Sequence, residues 1–362
     1  MKDLLTYLNT YENVSFEEKE FTEIDAMILV QLSYLNYEKI IQDGFCNVRD
    51  ILGQVNLLTE ENYAVKRNRE LFERICKGIR YKELEVGEME WKLDDSIQYA
   101  AMTFRLGNSY NIIYRGTDLS IAGWKEDLNL GISETIDSHS VGLDYANHML
   151  EKYTGDFYLL GHSKGGNIAL YVGMRLEKKL QDKILKIFDF DGPGFIFDLE
   201  NDPDYHQIQD RYFKFVPKDD VIGLLLNHSQ KYQVVDSRNV GFIQHDLYFW
   251  KIEDSEFKKV SDISILSKIF SRTILDWLAS MTQEEKISCI QTLDELFKKA
   301  NISNLNQLKS LSFDAIKGII YSSIKLSFKQ KKQLASLVLR LMKLSMKASV
   351  EEIRPKKNDI KK

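Results

Sequence analysis

The stretch Asp156-Phe157-Tyr158-Leu159-Leu160-Gly161-His162-Ser163-Lys164-Gly165-Gly166-Asn167-Ile168-Ala169-Leu170 decides the fold. Its first five residues are a short apolar run, which predicts a buried strand. From residue 166 to 180 the pattern predicts a helix. Between the two sits Gly-x-Ser-x-Gly, at Gly161, Ser163 and Gly165. A serine between a strand and a helix occupies a sharp, strained turn, and its neighbours must be small where the two elements meet. Gly161 and Gly165 meet that need. The helix that follows aims its unbonded N–H groups at the serine and favours negative charge developing there.

Working outward, Gln98-Tyr-Ala-Ala-Met-Thr-Phe-Arg-Leu and Tyr110-Asn-Ile-Ile-Tyr-Arg read as a hairpin closed by a Gly107-Asn108 turn. A helix is predicted over 140–153, and further strands over 183–190, 211–216 and 232–236. Strands alternating with helices predict an α/β fold, a mainly parallel sheet flanked by helices. Residues 1–95 read as helical, with an apolar helical face in Glu23-Ile-Asp-Ala-Met-Ile-Leu-Val-Gln-Leu-Ser-Tyr-Leu and a charged helix over 60–81. After about residue 255 the strand texture stops, and helices are predicted over 263–300 and 313–349. Thr282-Gln-Glu-Glu reads as a capped helix start. The expected division is therefore a helical segment over 1–95 packed on the core, an α/β core over 96–254 and a helical appendage over 255–362.

A chain of 362 residues with a hydrophobic fraction of 44% has enough apolar side chain for a sizeable core. Cys46, Cys76 and Cys289 are odd in number and widely spaced, which predicts reduced thiols and no zinc site. The N-terminus lacks the apolar run of a signal peptide, and no stretch has the length of a membrane span. The expectation is a soluble, cytoplasmic protein. Residues 301–362 carry 14 Lys and Arg against 4 Asp and Glu, on a chain whose net charge is −5. Such a basic tail fits either packing on its own acidic body, the simpler reading, or peripheral contact with an anionic membrane. No nucleic-acid recognition motif accompanies the charge, so no nucleic acid is expected as a partner.

A serine hydroxyl is a weak nucleophile near neutral pH and needs a base, plus a group to orient that base. In a fold of this kind the chain order is Ser, acid, His. His245 satisfies the order, in Gly241-Phe-Ile-Gln-His-Asp-Leu-Tyr-Phe-Trp. His139 and His148 precede the serine, His162 is inside the turn, and His206 and His228 are competitors by order alone. Two acids stand at predicted strand ends. Asp220, in Val216-Pro-Lys-Asp-Asp-Val, is the favoured one, and Asp191, in Phe188-Asp-Phe-Asp-Gly-Pro-Gly, is the alternative. For the oxyanion donors, Gly116 in Tyr114-Arg-Gly-Thr-Asp would let the backbone turn Thr117 toward the serine. The N–H of Lys164 would be the second donor. Trp124 and Asp127, just downstream, are expected to clamp that loop.

With these residues in hand, the chain resembles the class 3 lipases. Their Arg-Gly-(Ser/Thr) loop is similar to Arg115-Gly116-Thr117, their downstream Trp and Asp to Trp124 and Asp127, and their Gly-His-Ser-x-Gly-Gly to residues 161–166. Their acid falls on Asp220, although the proline that follows it there is absent here, and their histidine falls on His245. A closer resemblance, over roughly residues 1–300, is to a bacterial family of lipase-like proteins of unassigned function. It is carried by Phe21-Thr-Glu-Ile-Asp-Ala, Leu32-Ser-Tyr, Gly123-Trp-Lys-Glu-Asp, Gly161-His-Ser-Lys-Gly-Gly, Phe188-Asp-Phe-Asp-Gly-Pro-Gly-Phe and Gln244-His-Asp. The resemblance implies an α/β-hydrolase fold and a serine hydrolase cleaving small-molecule or lipid acyl esters, with no metal or organic cofactor. One alternative is a phospholipase or lysophospholipase at a membrane surface, for which the stripe Leu334, Leu337, Val338, Leu341 and Ser345 would face lipid. The other is a non-catalytic binding module on the same fold.

Overall fold

The computed structural model describes residues 3–59, 64–94, 97–117, 121–299 and 326–353. Along them run the strands β1 (Phe45–Asn47), β2 (Leu84–Leu93), β3 (Gln98–Leu106), β4 (Ser109–Tyr114), β5 (Asp156–His162), β6 (Ile184–Phe190), β7 (Tyr212–Pro217), β8 (Tyr232–Val235), β9 (Ile252–Glu253), β10 (Glu256–Phe257) and β11 (Lys259–Val260). The helices are α1 (Leu4–Tyr11), α2 (Glu23–Leu32), α3 (Val55–Leu58), α4 (Val65–Lys77), α5 (Ile121–Leu130), α6 (Asp137–Lys152), α7 (Lys164–Arg175), α8 (Lys178–Gln181), α9 (Pro203–Ile208), α10 (Ile265–Ala279), α11 (Gln283–Lys299) and α12 (Phe328–Ile353).

One large sheet has the order β1-β2-β3-β4-β5-β6-β7-β8-β11. Strands β4 to β8 are parallel, with antiparallel strands at both edges. The register sets the site. Tyr114 lies opposite Gly161, His162 opposite Phe190, and Phe190 opposite Phe215. The loops that leave β4, β5, β6 and β7 therefore emerge side by side at the carboxyl edge, where an open parallel sheet presents a site.

Alternate residues of the parallel strands feed two cores. Ile113, Leu160, Phe188 and Phe190 pack under α1, α2 and α4, while Ile112, Leu159 and Ile187 pack under α6, α7 and α9. Helix α2 is buried along nearly its whole length, so its apolar run has no solvent face. Its start is a capping box, in which the Thr22 N–H donates to Asp25 Oδ2 and the Asp25 N–H to Thr22 Oγ1. Asp25 also receives the Arg80 guanidinium through two bonds of 2.8 and 2.7 Å, with both side chains fully buried. Arg80 spends its other donors on the carbonyls of Val14, Lys19 and Glu20. A fully hydrogen-bonded pair of this kind tolerates burial, whereas either partner alone does not.

Two sequence expectations need correction. Residues 1–95 are not only helical: β1 and the ten-residue β2 belong to the main sheet. Strand β2 interleaves charge with apolar residues and is interrupted by a register shift between Gly87 and Glu90, where Glu88 has φ of 48°. The bulge breaks the period-two signal that would have marked it. Strands also continue past residue 255, since β11 adds to the sheet edge beside β8.

Among the described residues the chain is helical from Ile265 onward, and α11 starts with a reciprocal cap between Thr282 and Glu285. Helices α10 and α12 pack antiparallel, tied by Arg272 to Glu351 at 2.6 Å and by the Trp277 indole to the Leu337 carbonyl at 3.0 Å. Of the stripe expected to face lipid, Leu337 is buried, Leu334, Leu341 and Ser345 are half-buried, and only Val338 is exposed. That stripe is therefore mainly a packing face. Residues 300–325 and 354–362, which carry part of the basic tail and the start of the helix expected over 313–349, lie outside the described residues. No helix among the described residues is long and apolar enough to cross a membrane. Cys76 is buried and Cys46 and Cys289 half-buried, all three free thiols.

Candidate active site

Ser163 ends the β5 turn with φ 57° and ψ −133°, a strained conformation for a residue with a side chain. The strain is held by close packing. A Cβ on Gly161 would lie 2.0 Å from the Gly165 carbonyl oxygen, and one on Gly165 would lie 2.0 Å from that of Tyr114. Only glycine fits at either place. The Ser163 N–H donates to the Phe190 carbonyl at 3.0 Å, fixing the turn to the next strand. Among its buried neighbours, Ser163 alone reaches solvent. Lys164 is the first residue of α7, so its N–H has no intrahelical acceptor.

His245 lies in a 3-10 turn over Gly241–His245. Its ring packs on that of His162, the residue before Ser163, with centroids 4.4 Å apart. His162 donates Nε2–H to the His245 carbonyl at 2.8 Å and accepts from the Tyr34 hydroxyl at Nδ1 at 2.9 Å. Burial holds the His162 ring well below the usual histidine range, so it is neutral and this assignment of its two nitrogens is stable. The residues around His245 pin the loop. Gln244 donates to Asp219 at 2.8 Å, Asp246 pairs with Arg67 at 2.9 Å, and the Trp250 indole donates to the Gln244 carbonyl at 2.7 Å. Of the two competitors, His206 sits on α9 and His228 donates to the carbonyl of its neighbour Ser229.

The acid that meets His245 is Asp191, with Nδ1 to Oδ2 at 2.7 Å. This reverses the order of preference between the two candidates. The Asp220 carboxyl is turned the other way, accepting the N–H groups of Ile222, Gly223 and Leu224. It also hydrogen-bonds to Asp191. Asp220 thus stands behind Asp191, one layer from the histidine. Asp191 has φ of 59°, which carries the chain sharply off β6 and points the carboxyl across the sheet edge. Burial pushes its pKa up to about 6. Burial, and then the neighbouring Asp191 charge, push Asp220 well above the carboxylate range. Two carboxyls in contact cannot both ionise cheaply, so one proton stays with the pair, on Asp220.

The loop after β4 approaches Ser163 closely. A Cβ on Gly116 would lie 3.1 Å from the Ser163 Cβ and 2.5 Å from the His162 carbonyl oxygen. Thr117 donates its hydroxyl to Asp127 at 2.7 Å. Burial pushes Asp127 up to about 6. Trp124 lies in α5, but its side chain falls outside the described residues.

Sequence reasoning missed a second clamp. The Lys164 side chain is wholly buried and forms a 2.6 Å ion pair with Glu126, together with bonds to Gln98. Glu126 also accepts the N–H and hydroxyl of Ser138 at 3.1 and 2.6 Å, and the Gln98 N–H at 3.2 Å. The signal was present: a lysine at a buried helix start needs a carboxylate, and the Gly-Trp-Lys-Glu-Asp motif supplies one. A further buried pair, Lys214 with Asp189 at 2.8 Å, braces the Asp191 turn, because Asp189 accepts the Gly192 N–H at 2.7 Å and Lys214 donates to the Gly192 carbonyl.

A serine in a strained strand-to-helix turn, a histidine and a buried carboxyl in chain order, on a parallel sheet, define an α/β-hydrolase fold with a serine-hydrolase-like site. Within that class the chain belongs to the Mbeg1-like family, whose model matches residues 75–298. No curated protein matches the chain by sequence. Among solved structures it is similar to an MDLA mutant from Penicillium cyclopium, at 12% identity and TM-score 0.41, covering 66% of this chain and 86% of that one. It is also similar to a Rhizomucor miehei lipase in complex with its propeptide, at 14% identity and TM-score 0.38, covering 70% and 76%. The M37 lipase gives 16% identity and TM-score 0.33, covering 55% and 67%. The strand order and the serine turn, rather than these distant likenesses, define the fold.

Proposed function

We propose that the protein is a serine esterase of lipase type, hydrolysing carboxylic esters of apolar acyl groups. The observation that carries this reading is the His245–Asp191 bond of 2.7 Å, in a chain whose Ser163 holds a strained strand-to-helix turn. With Nδ1–H donated to Asp191, the other ring nitrogen, Nε2, is the base for the Ser163 hydroxyl. Ser163 attacks the ester carbonyl, and the N–H groups of Lys164 and Thr117 receive the oxyanion. Glu126 and Asp127, adjacent on α5, hold the side chains of the two donor residues, so one helix sets both donors. The imidazolium then returns its proton to the leaving alcohol. Water, activated by the same nitrogen, releases the acid and restores the serine.

Asp220 serves as the neutral partner that donates to Asp191 and keeps its charge directed at the histidine. The apolar preference rests on Val240, Phe242 and Ile243, which stand exposed on the segment leading into His245. A panel of nitrophenyl esters of rising chain length tests the reading. Hydrolysis that rises from acetate toward medium chains supports it. Absence of turnover on every member, with no labelling by a fluorophosphonate, favours the binding module instead.

A further inference from the structure

Helix α12 carries two apolar faces. One packs on α10 through Leu337 and Ala348, both almost fully buried. The other is formed by Phe328, Val338, Leu339, Met342, Met346 and Val350, each more than half exposed, with Phe328 at 83%. At 100° per residue these six share one side of the helix, opposite Leu337 and Ala348. From Phe328 to Val350 the stripe is about 33 Å long at ~1.5 Å per residue. Exposed Lys343 and Lys347 border its continuous part, Val338 to Val350, and exposed Lys331 and Lys332 lie within its arc between Phe328 and Val338. The acids of α12 are confined to its last turns, where Glu351 is ion-paired to Arg272.

We propose that this outer face of α12 is a docking surface for an anionic lipid bilayer. An apolar stripe edged at one end and interrupted at the other by lysines matches a membrane interface, with acyl chains meeting the stripe and anionic headgroups the lysines. Residues 301–362, which include α12, carry 14 basic against 4 acidic residues and supply the matching charge. A second copy of the chain is the poorer occupant, because two such faces together would set lysine against lysine. The helix that carries α12 is itself tied to the framework of the serine site. Phe242, on the segment leading into His245, makes a ring contact at 6.5 Å with Phe270 of α10, the helix on which α12 rests. Docking does not depend on the esterase reading, since it is measured by binding alone.

The test is co-sedimentation of the full chain with vesicles of phosphatidylcholine, alone or mixed with phosphatidylglycerol. The expected result is binding to the mixed vesicles that exceeds binding to phosphatidylcholine and weakens as salt rises. The triple variant Leu339→Gln, Met342→Gln, Met346→Gln should lower the partition coefficient on the order of tenfold or more. Its melting temperature should be unchanged, because all three side chains point to solvent. Lys343→Glu with Lys347→Glu should weaken binding to mixed vesicles and leave binding to phosphatidylcholine alone unaffected. Three results would overturn the proposal: no binding of the wild type to mixed vesicles, undiminished binding of the triple variant, or a wild-type dimer that the triple variant splits without any vesicle binding.

Discussion

Exchanging Asp191 and Asp220 singly for asparagine separates two carboxyls that the sequence offers for the same task. Of the two carboxyls, Asp191 is the one hydrogen-bonded to His245, so Asp191→Asn removes the charge that stabilises the imidazolium and allows the wrong ring tautomer. Losses of roughly 10³- to 10⁴-fold in kcat accompany such a change in a serine triad. Asp220→Asn is different in kind. Two ionised carboxylates about 3 Å apart would repel by roughly 5 kcal/mol at an effective dielectric near 20, close to four pK units, so the inner one keeps its proton. Asparagine resembles that protonated acid, since its NH2 can still donate to Asp191 and its Oδ1 still accepts from the N–H groups of Ile222 and Gly223, with only the Leu224 N–H losing its acceptor. Its kcat should stay within about tenfold of wild type.

The pH profile adds a second readout. Asp191, pushed up to about 6 by burial, must be ionised, so kcat/KM should fall as pH drops through that region. If Asp220 is neutral, Asp220→Asn leaves this acid limb in place. If Asp220 is ionised, its removal takes away a negative charge and shifts the limb to lower pH by a unit or more. Stopped-rate assays on a nitrophenyl ester between pH 4 and 9 give both quantities. A kcat loss larger for Asp220→Asn than for Asp191→Asn, or a limb that moves down in Asp220→Asn, would refute the assignment.

Other consequences follow from the same contacts. Lys164→Met should destabilise the fold by about 3–5 kcal/mol in urea melts, since it strands a buried Glu126 carboxylate, and Lys164→Met with Glu126→Leu should recover much of the loss. Thr117→Val, which cuts the tether to Asp127, should lower kcat by roughly 10- to 100-fold with little change in KM, because the loop then holds the oxyanion donor less firmly. Asp191 and Asp127 have folded pKa values near 6 against a usual 3.8, so the folded state holds their protons more tightly than the unfolded one. The stability they contribute is fully present below about pH 4 and is lost as pH rises through about 6, and Asp191→Asn should flatten that slope in urea melts.

The parallel core was legible because its strands are continuous apolar runs set off by turn residues, as in residues 156–160 and 183–190. The serine turn was legible because glycine is required on both sides, for a steric reason that the geometry makes explicit. Strand β2 was not, because its solvent side is charged and a bulge interrupts its alternation. The choice of acid was not legible either. Asp191 and Asp220 both end neighbouring strands, and which of them faces the histidine depends on the φ of 59° at Asp191 and on the three N–H groups that capture Asp220. Such facts arise only when loops meet. Residues 334–345 show the same limit for a helix. Their apolar positions were visible, but which face packs and which stays exposed was settled by α10, a partner distant in sequence.

The central claim is that Ser163 is the nucleophile of a working triad. Mass spectrometry of the protein after reaction with a fluorophosphonate tests it most directly. One adduct is expected, on the peptide containing Ser163, lost in Ser163→Ala and slowed by orders of magnitude in His245→Ala. An adduct that persists on another residue of Ser163→Ala, or a wild-type protein that never reacts while fully folded, would contradict it.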